Sequence, residues 1–317
     1  MEQKLESYFK SLNLGTVSGV TELKDGNSSN HNNYKVVTSQ GIFVARVTKP
    51  GDLLGYTNLS DEYTILKLVE RYNIGPKAIH IDLENFENPI LIEEFLDGIS
   101  YLKISTATED MLEKTIDLLV ATSKVGLGFE QFPFKFTYTT FQTNFKVWMT
   151  RMEEIKKTLG DGNQILTDFN SVIDSTKEIL IKKDALLTSA PKEFIYNDIH
   201  PGNLFWLPRE GKTKFIDWQK VSLGNPAFMI SLFARRFFAY FWGMDEKEFA
   251  AKVIKSYQDK KQVRGFEELF YASMLERAVS DMIWSVWADV KKGVAVKISK
   301  ADESQYYKEA ITLMSGM

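Results

Sequence analysis

Leu5, Phe9 and Leu12 recur at helical spacing over residues 2–12 and stop before Gly15, a pattern that predicts a short amphipathic helix. β-Branched and aromatic residues then dominate Val17 to Leu23, Tyr34 to Thr38 and Ile42 to Val47. These runs are bounded by the polar stretch Asp25 to Asn33 and by Ser39-Gln40-Gly41, so three antiparallel strands in a meander are expected. Between Asn58 and Tyr72, Tyr63, Leu66 and Val69 form a helical stripe behind a Ser60 cap, and Lys77 to Leu83 and Pro89 to Phe95 read as two further strands. After Leu96-Asp97-Gly98 the period changes. Helical segments are expected at roughly 106–124, 140–159, 164–183, 226–257 in pieces, and 264–291, interrupted by a β-like island from Phe194 to Trp218. No repeat or low-complexity linker separates the halves. The expectation is an α+β chain of two lobes: a small five-stranded antiparallel lobe with one helix over residues 1–97, and a larger, mainly helical lobe over 98–317.

Composition narrows the classes. With 317 residues, 44% hydrophobic and 26% charged, the chain can build a substantial core. A net charge of -3 offers no long-range attraction for a phosphate backbone, so nucleic acid is not an expected partner, and a cationic substrate is compatible. The absence of cysteine excludes disulfides, thiolate zinc sites and cysteine nucleophiles. His31, His80 and His200 have no metal spacing, and no Gly-x-Ser-x-Gly occurs, which disfavours histidine metal sites and serine hydrolases. The start lacks the basic end and apolar run of a signal peptide, and no uncharged apolar stretch of about 18 residues could span a bilayer. A cytoplasmic protein without a membrane partner is expected, as a monomer or homodimer.

The island carries the chemistry. It reads Phe-Ile-Tyr-Asn-Asp-Ile-His-Pro-Gly-Asn-Leu-Phe-Trp over 194–206, then Lys-Phe-Ile-Asp-Trp-Gln over 214–219. Asp198, Asn203 and Asp217 supply three oxygen-bearing side chains from one hairpin. Mg²⁺ takes few protein oxygens and completes its octahedron with water and phosphate, which suits Asn203 and Asp217 as metal ligands. Asp198 is then free to orient an attacking hydroxyl and accept its proton. Pro201-Gly202 bends the chain so that both ends of the loop can face one side.

This segment resembles the catalytic loop and metal-binding strand of the aminoglycoside phosphotransferase and choline kinase superfamily, relatives of the protein kinases, whose pattern is His-Gly/Asn-Asp-x-x-x-x-Asn followed by Ile-Asp-Trp/Phe. The element order before Gly98 also corresponds to that family's nucleotide-binding lobe, so the resemblance covers most of the chain. It implies a protein-kinase-like fold, ATP and Mg²⁺ as cofactors, Asp198 as the catalytic aspartate, and Asn203 and Asp217 as metal ligands. Phe-Val-Ala-Arg-Val at 43–47 resembles the strand whose cation grips the α- and β-phosphates, which would be Arg46, with Glu62 as its partner. Read alone, Arg46 is better taken as an ordinary surface arginine at a strand edge, and only its register with the island lifts it. Ile92 to Gly98 resembles the hinge between lobes, where the Glu94 carbonyl and the Leu96 N–H would bind adenine. The polar stretch Asp25 to Asn33 could be a phosphate clasp or a plain hairpin tip. Three positions depart from the pattern: Tyr196 in place of His, Gln219 where bacterial choline kinases have Glu, and Met229 in place of Asp.

Trp284 and Trp287, three apart on one helical face, resemble the Trp-x-x-Trp of choline kinases and could box an ammonium group by cation-π attraction of roughly 0.5 to 2 kcal/mol each. Core packing produces the same stripe. His200 is a further substrate-contact candidate, or a loop residue that satisfies backbone. Asp245, Glu246 and Glu248 could greet a polycation or simply open a helix. The expected function is an ATP-dependent small-molecule kinase for an alcohol substrate, closest in pattern to bacterial choline/ethanolamine kinase-like phosphotransferases. An aminoglycoside O-phosphotransferase, another metabolite kinase and a catalytically silent nucleotide-binding protein are the alternatives. A protein kinase is disfavoured, since the chain has no Ala-Pro-Glu element and no room for an activation loop between Asp217 and Gly224.

Overall fold

A computed structural model describes residues 1–23, 31–49, 59–126, 137–138, 140–241 and 244–316. In chain order the first elements are α1 (Glu2–Ser11), β1 (Val17–Glu22), β2 (His31–Thr38), β3 (Gly41–Thr48), α2 (Leu59–Glu70), β4 (Ala78–Asp82), β5 (Ile90–Glu94), β6 (Ile99–Ser100) and α3 (Glu109–Ser123). They are followed by β7 (Thr137–Tyr138), α4 (Gln142–Leu159), α5 (Gln164–Ile181), α6 (Asp184–Ser189), β8 (Glu193–Tyr196), β9 (Leu204–Leu207), β10 (Lys212–Phe215) and β11 (Val221–Gly224). The last helices are α7 (Pro226–Phe237), α8 (Glu246–Lys260), α9 (Phe266–Lys291) and α10 (Gln305–Ser315). The α+β class and the five-stranded antiparallel sheet are those expected from the periodicity.

The chain divides into two compact units, Met1–Phe132 with Asp198–Val221, and Pro133–Asn197 with Ser222–Met317. The expected boundary after residue 97 falls inside the first unit. The reason is strand pairing: β6, just past Gly98, pairs antiparallel with β9, so the hairpin β9–β10 joins the unit that holds the N-terminal sheet. Thr213 on β10 also donates to the Lys114 carbonyl of α3 at 3.0 Å.

In the first unit the sheet order is β1-β2-β3-β5-β4, which makes β3 an interior strand. Side chains alternate across it. Ala45 and Val47 on β3 and Ile90 and Ile92 on β5 face a cluster with Leu5 and Phe9 of α1, so the N-terminal helix covers one face of the sheet. The intervening residues Arg46, Leu91 and Glu93 therefore belong to the other face. On α2 the buried stripe is Glu62, Ile65, Leu66 and Val69. Ser60 lies within this helix, where its carbonyl accepts from Thr64 Oγ1 at 2.9 Å, and does not cap it. The expected phosphate clasp lies outside the described residues up to Asn30, and its last three residues open β2.

The second unit is helical around α9, whose Leu269, Phe270, Leu275, Ala278, Val279, Met282 and Ile283 are buried. The expected 226–257 region splits into α7 and α8, each with its own cap. The Asn225 side chain accepts from Ala227 N–H with Pro226 opening α7, and the Asp245 side chain accepts from Glu248 N–H. Asp245, Glu246 and Glu248 thus form the capped first turn of α8. Helices α6 and α10 and the short strands β6, β7 and β11 were not predicted. Helix α10 buries one residue of its own, Ala310. Among the described residues no helix is long and apolar enough to cross a membrane.

The loop after α2 passes so close to the Asp217 segment that a Cβ on Gly75 would stand 2.4 Å from Trp218 Nε1. The indole is fully buried and cannot yield. Gly75→Ala is expected to destabilise the chain by about 1–3 kcal/mol in chemical denaturation, the usual cost of forcing a methyl into a packed site.

Candidate active site

Burial decides the character of Arg46. It sits on the interior strand β3, between Asn33 of β2 and Leu91 of β5, and is 5% exposed, so it is not a surface arginine. An unpaired charge there would be prohibitive. Its Nη1 pairs with Glu62 Oε1 on α2, and its Nη2 donates to Asp217 Oδ1 at 3.3 Å. Burial works against the charge on Arg46, but the carboxylates of Glu62, Asp217 and Glu93 outweigh it and hold its pKa above the ordinary range.

Glu62 is the hub. Its Oε1 also accepts from Trp218 N–H at 3.1 Å, and its Oε2 accepts from Gln219 Nε2 at 3.1 Å. Burial pushes this carboxyl up, while Arg46 and the two donated hydrogen bonds pull it down. Gln219 Nε2 also meets His31 Nε2 at 3.1 Å, which ties the start of β2 into the cluster. The amide at position 219 therefore faces Glu62. A glutamate there would set a second carboxylate against it, so the neutral residue suits this site.

A few backbone contacts bring Asp217 to the loop of Asp198 to Asn203. Phe215 N–H donates to the Ile74 carbonyl and Ile216 N–H to the Asn203 carbonyl, both at 3.0 Å. Asp217 itself has φ of 58°, the left-handed region that costs most residues and that Asp tolerates better than most. In the loop, Asn203 N–H bonds the His200 carbonyl at 2.9 Å, and His200 Nδ1 accepts from Gly202 N–H at 3.1 Å. A Cβ at Gly202 would meet that ring at 2.9 Å, which explains the glycine. The Asn203 amide donates to the Asp198 carbonyl at 3.2 Å and lies 3.4 Å from Asp198 Oδ2. Its NH₂ group is thus committed to Asp198, leaving the amide oxygen turned away. Lys220 Nζ donates to Asp198 Oδ2 at 3.0 Å.

Arg46, Glu62, Asp217, Asn203, Asp198 and His200 all belong to the first unit, as do Glu94 and Leu96. Glu94 N–H bonds the Lys77 carbonyl at 2.9 Å and Phe95 N–H the Ile42 carbonyl at 3.3 Å. Leu96 N–H donates to no group among the described residues, although Leu96 is buried, so one backbone donor at the end of β5 is open. Trp284 and Trp287 lie on α9 in the second unit with ring centroids 5.0 Å apart. The Arg151 guanidinium stands 5.1 Å from each centroid, and Trp287 Nε1 donates to Glu154 at 2.7 Å. The rings do bind a cation, and it is one of the chain's own. Tyr196 and Met229 are fully buried in the second unit.

The sequence reading does not single out Glu93 or Lys220. Glu93 carries a faint signal, a carboxyl ending the apolar run Ile90-Leu91-Ile92; it is 5% exposed, its Oε2 has no hydrogen bond, and burial, opposed by Arg46, lifts its pKa to about 8. Lys220 has no sequence signal at all. Among the described residues no three His, Cys, Asp or Glu side chains gather to form a metal cage.

The profile of the phosphotransferase enzyme family matches residues 20–266. The ADP-bound aminoglycoside phosphotransferase APH(2'')-Ib shares the fold with a TM-score of 0.62 at 15% identity, over 98% of this chain and 96% of that one. Choline kinase from Cryptosporidium parvum Iowa II aligns with a TM-score of 0.61 at 14% identity, over 95% of this chain and 87% of that one. Plasmodium vivax ethanolamine kinase aligns with a TM-score of 0.59 at 16% identity, over 94% and 82%. No curated protein matches in sequence at a significant level. The fold is the protein-kinase-like one. The chain belongs to the phosphotransferase enzyme family and is a small-molecule phosphotransferase acting on hydroxyl groups.

Two variants test the buried cluster. Arg46→Ala leaves Glu62 without its cation and is expected to cost about 3–5 kcal/mol in denaturant titration. Glu93, with a raised folded-state pKa, binds a proton in the folded chain that the unfolded chain has released. Its stabilising effect is therefore complete below about pH 4 and is lost as pH rises to about 8. Glu93→Gln should flatten that part of the stability profile, and an unchanged slope would contradict it.

Proposed function

We propose that the chain transfers the γ-phosphoryl group of ATP, with Mg²⁺, to a hydroxyl of a small cationic alcohol, with an amino alcohol of the choline or ethanolamine type favoured. The observation that carries this reading is the convergence of Arg46, Glu62 and Asp217 in the unit that also holds the Asn203–Asp198 pair. In this reading residues 1–97 act as the nucleotide-binding lobe and 98–317 as the catalytic and acceptor-binding lobe.

The donor set fits a hard cation. Asn203 offers a neutral oxygen because its NH₂ group is turned to Asp198, and Asp217 offers a carboxylate at a strained backbone position. Mg²⁺ bound there would neutralise charge on the β- and γ-phosphates. The Glu94 carbonyl and the open Leu96 N–H would receive the adenine edge, and Arg46 the α- and β-phosphates. Asp198 aligns the acceptor hydroxyl and takes its proton. The acceptor oxygen forms a bond to the γ-phosphorus as the bond to the β,γ-bridging oxygen breaks, and ADP leaves with that electron pair. His200, whose ring is already engaged with Gly202, offers its outer edge to the acceptor.

Within the second unit, the arginine over Trp284 and Trp287 supports a cationic ligand for that aromatic face. An amino alcohol would enter by replacing Arg151. Its binding should therefore tighten in Arg151→Ala and weaken in Trp284→Ala.

The test is ADP release from Mg-ATP against choline, ethanolamine, aminoglycosides, thiamine and methylthioribose, beside Asp198→Ala. Turnover of an amino alcohol that Asp198→Ala lowers by on the order of 10²-fold or more is expected. Turnover restricted to an aminoglycoside would replace the acceptor class. Failure of the wild-type chain to bind Mg-ATP in calorimetry would overturn the reading.

A further inference from the structure

Asp198 has an asymmetric carboxylate. Oδ2 accepts from Lys220 Nζ at 3.0 Å and lies 3.4 Å from Asn203 Nδ2, whereas Oδ1 accepts from no group among the described residues. The lysine side chain is 56% exposed and the aspartate side chain 17% exposed, so packing does not hold the ammonium where it stands. An ion pair this open to water contributes little to stability, and holding the fold together is not an adequate reason for it.

The backbone explains its reach. Lys220 follows Trp218 and Gln219, whose N–H and side-chain amide are both anchored on Glu62, and precedes Val221, where β11 begins. The residue is pinned on both sides, so its flexible stem is delivered to the loop that carries Asp198. The segment that presents Asp217 on Arg46 thus also delivers a cation to Asp198, three residues further on.

We propose that Lys220 is a positioning residue for phosphoryl transfer. Its ammonium fixes Asp198 through Oδ2, so that Oδ1 alone is presented to the acceptor hydroxyl. A carboxylate free to rotate would offer either oxygen in many orientations, and misplacement by about 1 Å can cost 10²-fold in rate. The proton path is the one given above, with Oδ1 as the receiving atom and Lys220 outside it. The inference rests on the reading of Asp198 as the residue that aligns the acceptor.

The test uses the full chain with Mg-ATP and the acceptor of the panel above that gives the fastest ADP release, or water where none exceeds it. Lys220→Met is expected to lower kcat on the order of 10- to 100-fold while KM for ATP changes by less than about threefold. The thermal midpoint should stay that of the wild type, and Lys220→Arg, which keeps a charged donor, should recover most of the lost kcat. A purely structural role would move the midpoint and would not separate kcat from KM. If Lys220→Met turns over within about twofold of wild type while Asp198→Ala is impaired, Lys220 is not a positioning residue and the transfer reading stands. If the wild-type chain neither binds nor turns over Mg-ATP, both fall together.

Discussion

The buried pair between Arg46 and Glu62 is the constraint around which the first unit is arranged. A guanidinium inside a β-sheet cannot be left unpaired, and a broken buried pair costs several kcal/mol where an intact one is close to neutral. The native arrangement therefore needs β3, α2 and the 217–219 segment in place together. Glu62 enforces this because its two oxygens serve three donors: Arg46 and Trp218 N–H on one, Gln219 on the other. The same geometry presents Asp217 to Arg46 in a left-handed conformation, an unfavourable backbone state held by the contacts on either side of it.

The charge balance of this cluster follows from burial. Three carboxyl groups, on Glu62, Glu93 and Asp217, surround one arginine. Two features relieve the excess: Glu93 is held protonated up to about pH 8, and position 219 carries an amide. A cluster organised in this way holds a buried, paired cation with the Asp217 carboxylate beside it. In the second unit a comparable logic operates at the surface. Arg151 lies over two indoles, and Glu154 accepts from Trp287 and pairs with Lys291 at 2.8 Å, so the aromatic face has a cationic occupant of its own.

Much of this was legible in the chain itself. The strands and most helices carry hydrophobic periods of 2 and 3.6, and the observed boundaries lie within a few residues of those periods. The elements that escaped are short or little buried: β6, β7 and β11 are fixed by pairing partners far away in sequence, and α10 buries only Ala310. Asp198, Asn203 and Asp217 could be singled out as candidates because their spacing is local to one hairpin, and Arg46 and Glu62 only through the resemblance they complete; their placement beside one another is a tertiary fact.

By itself the sequence determined most of the element order and the α+β class, and it offered the candidate side chains, since local propensity and hydrophobic period act over a few residues at a time. Tertiary structure alone decided the rest. It made Arg46 an interior residue, turned Gln219 toward Glu62, raised Glu93, seated Arg151 over the tryptophans and brought Lys220 to Asp198. Each of these depends on groups 15 to 170 or so positions apart meeting in a low-dielectric interior or across a shared loop, where burial and pairing set the energy, and no local pattern records such a meeting.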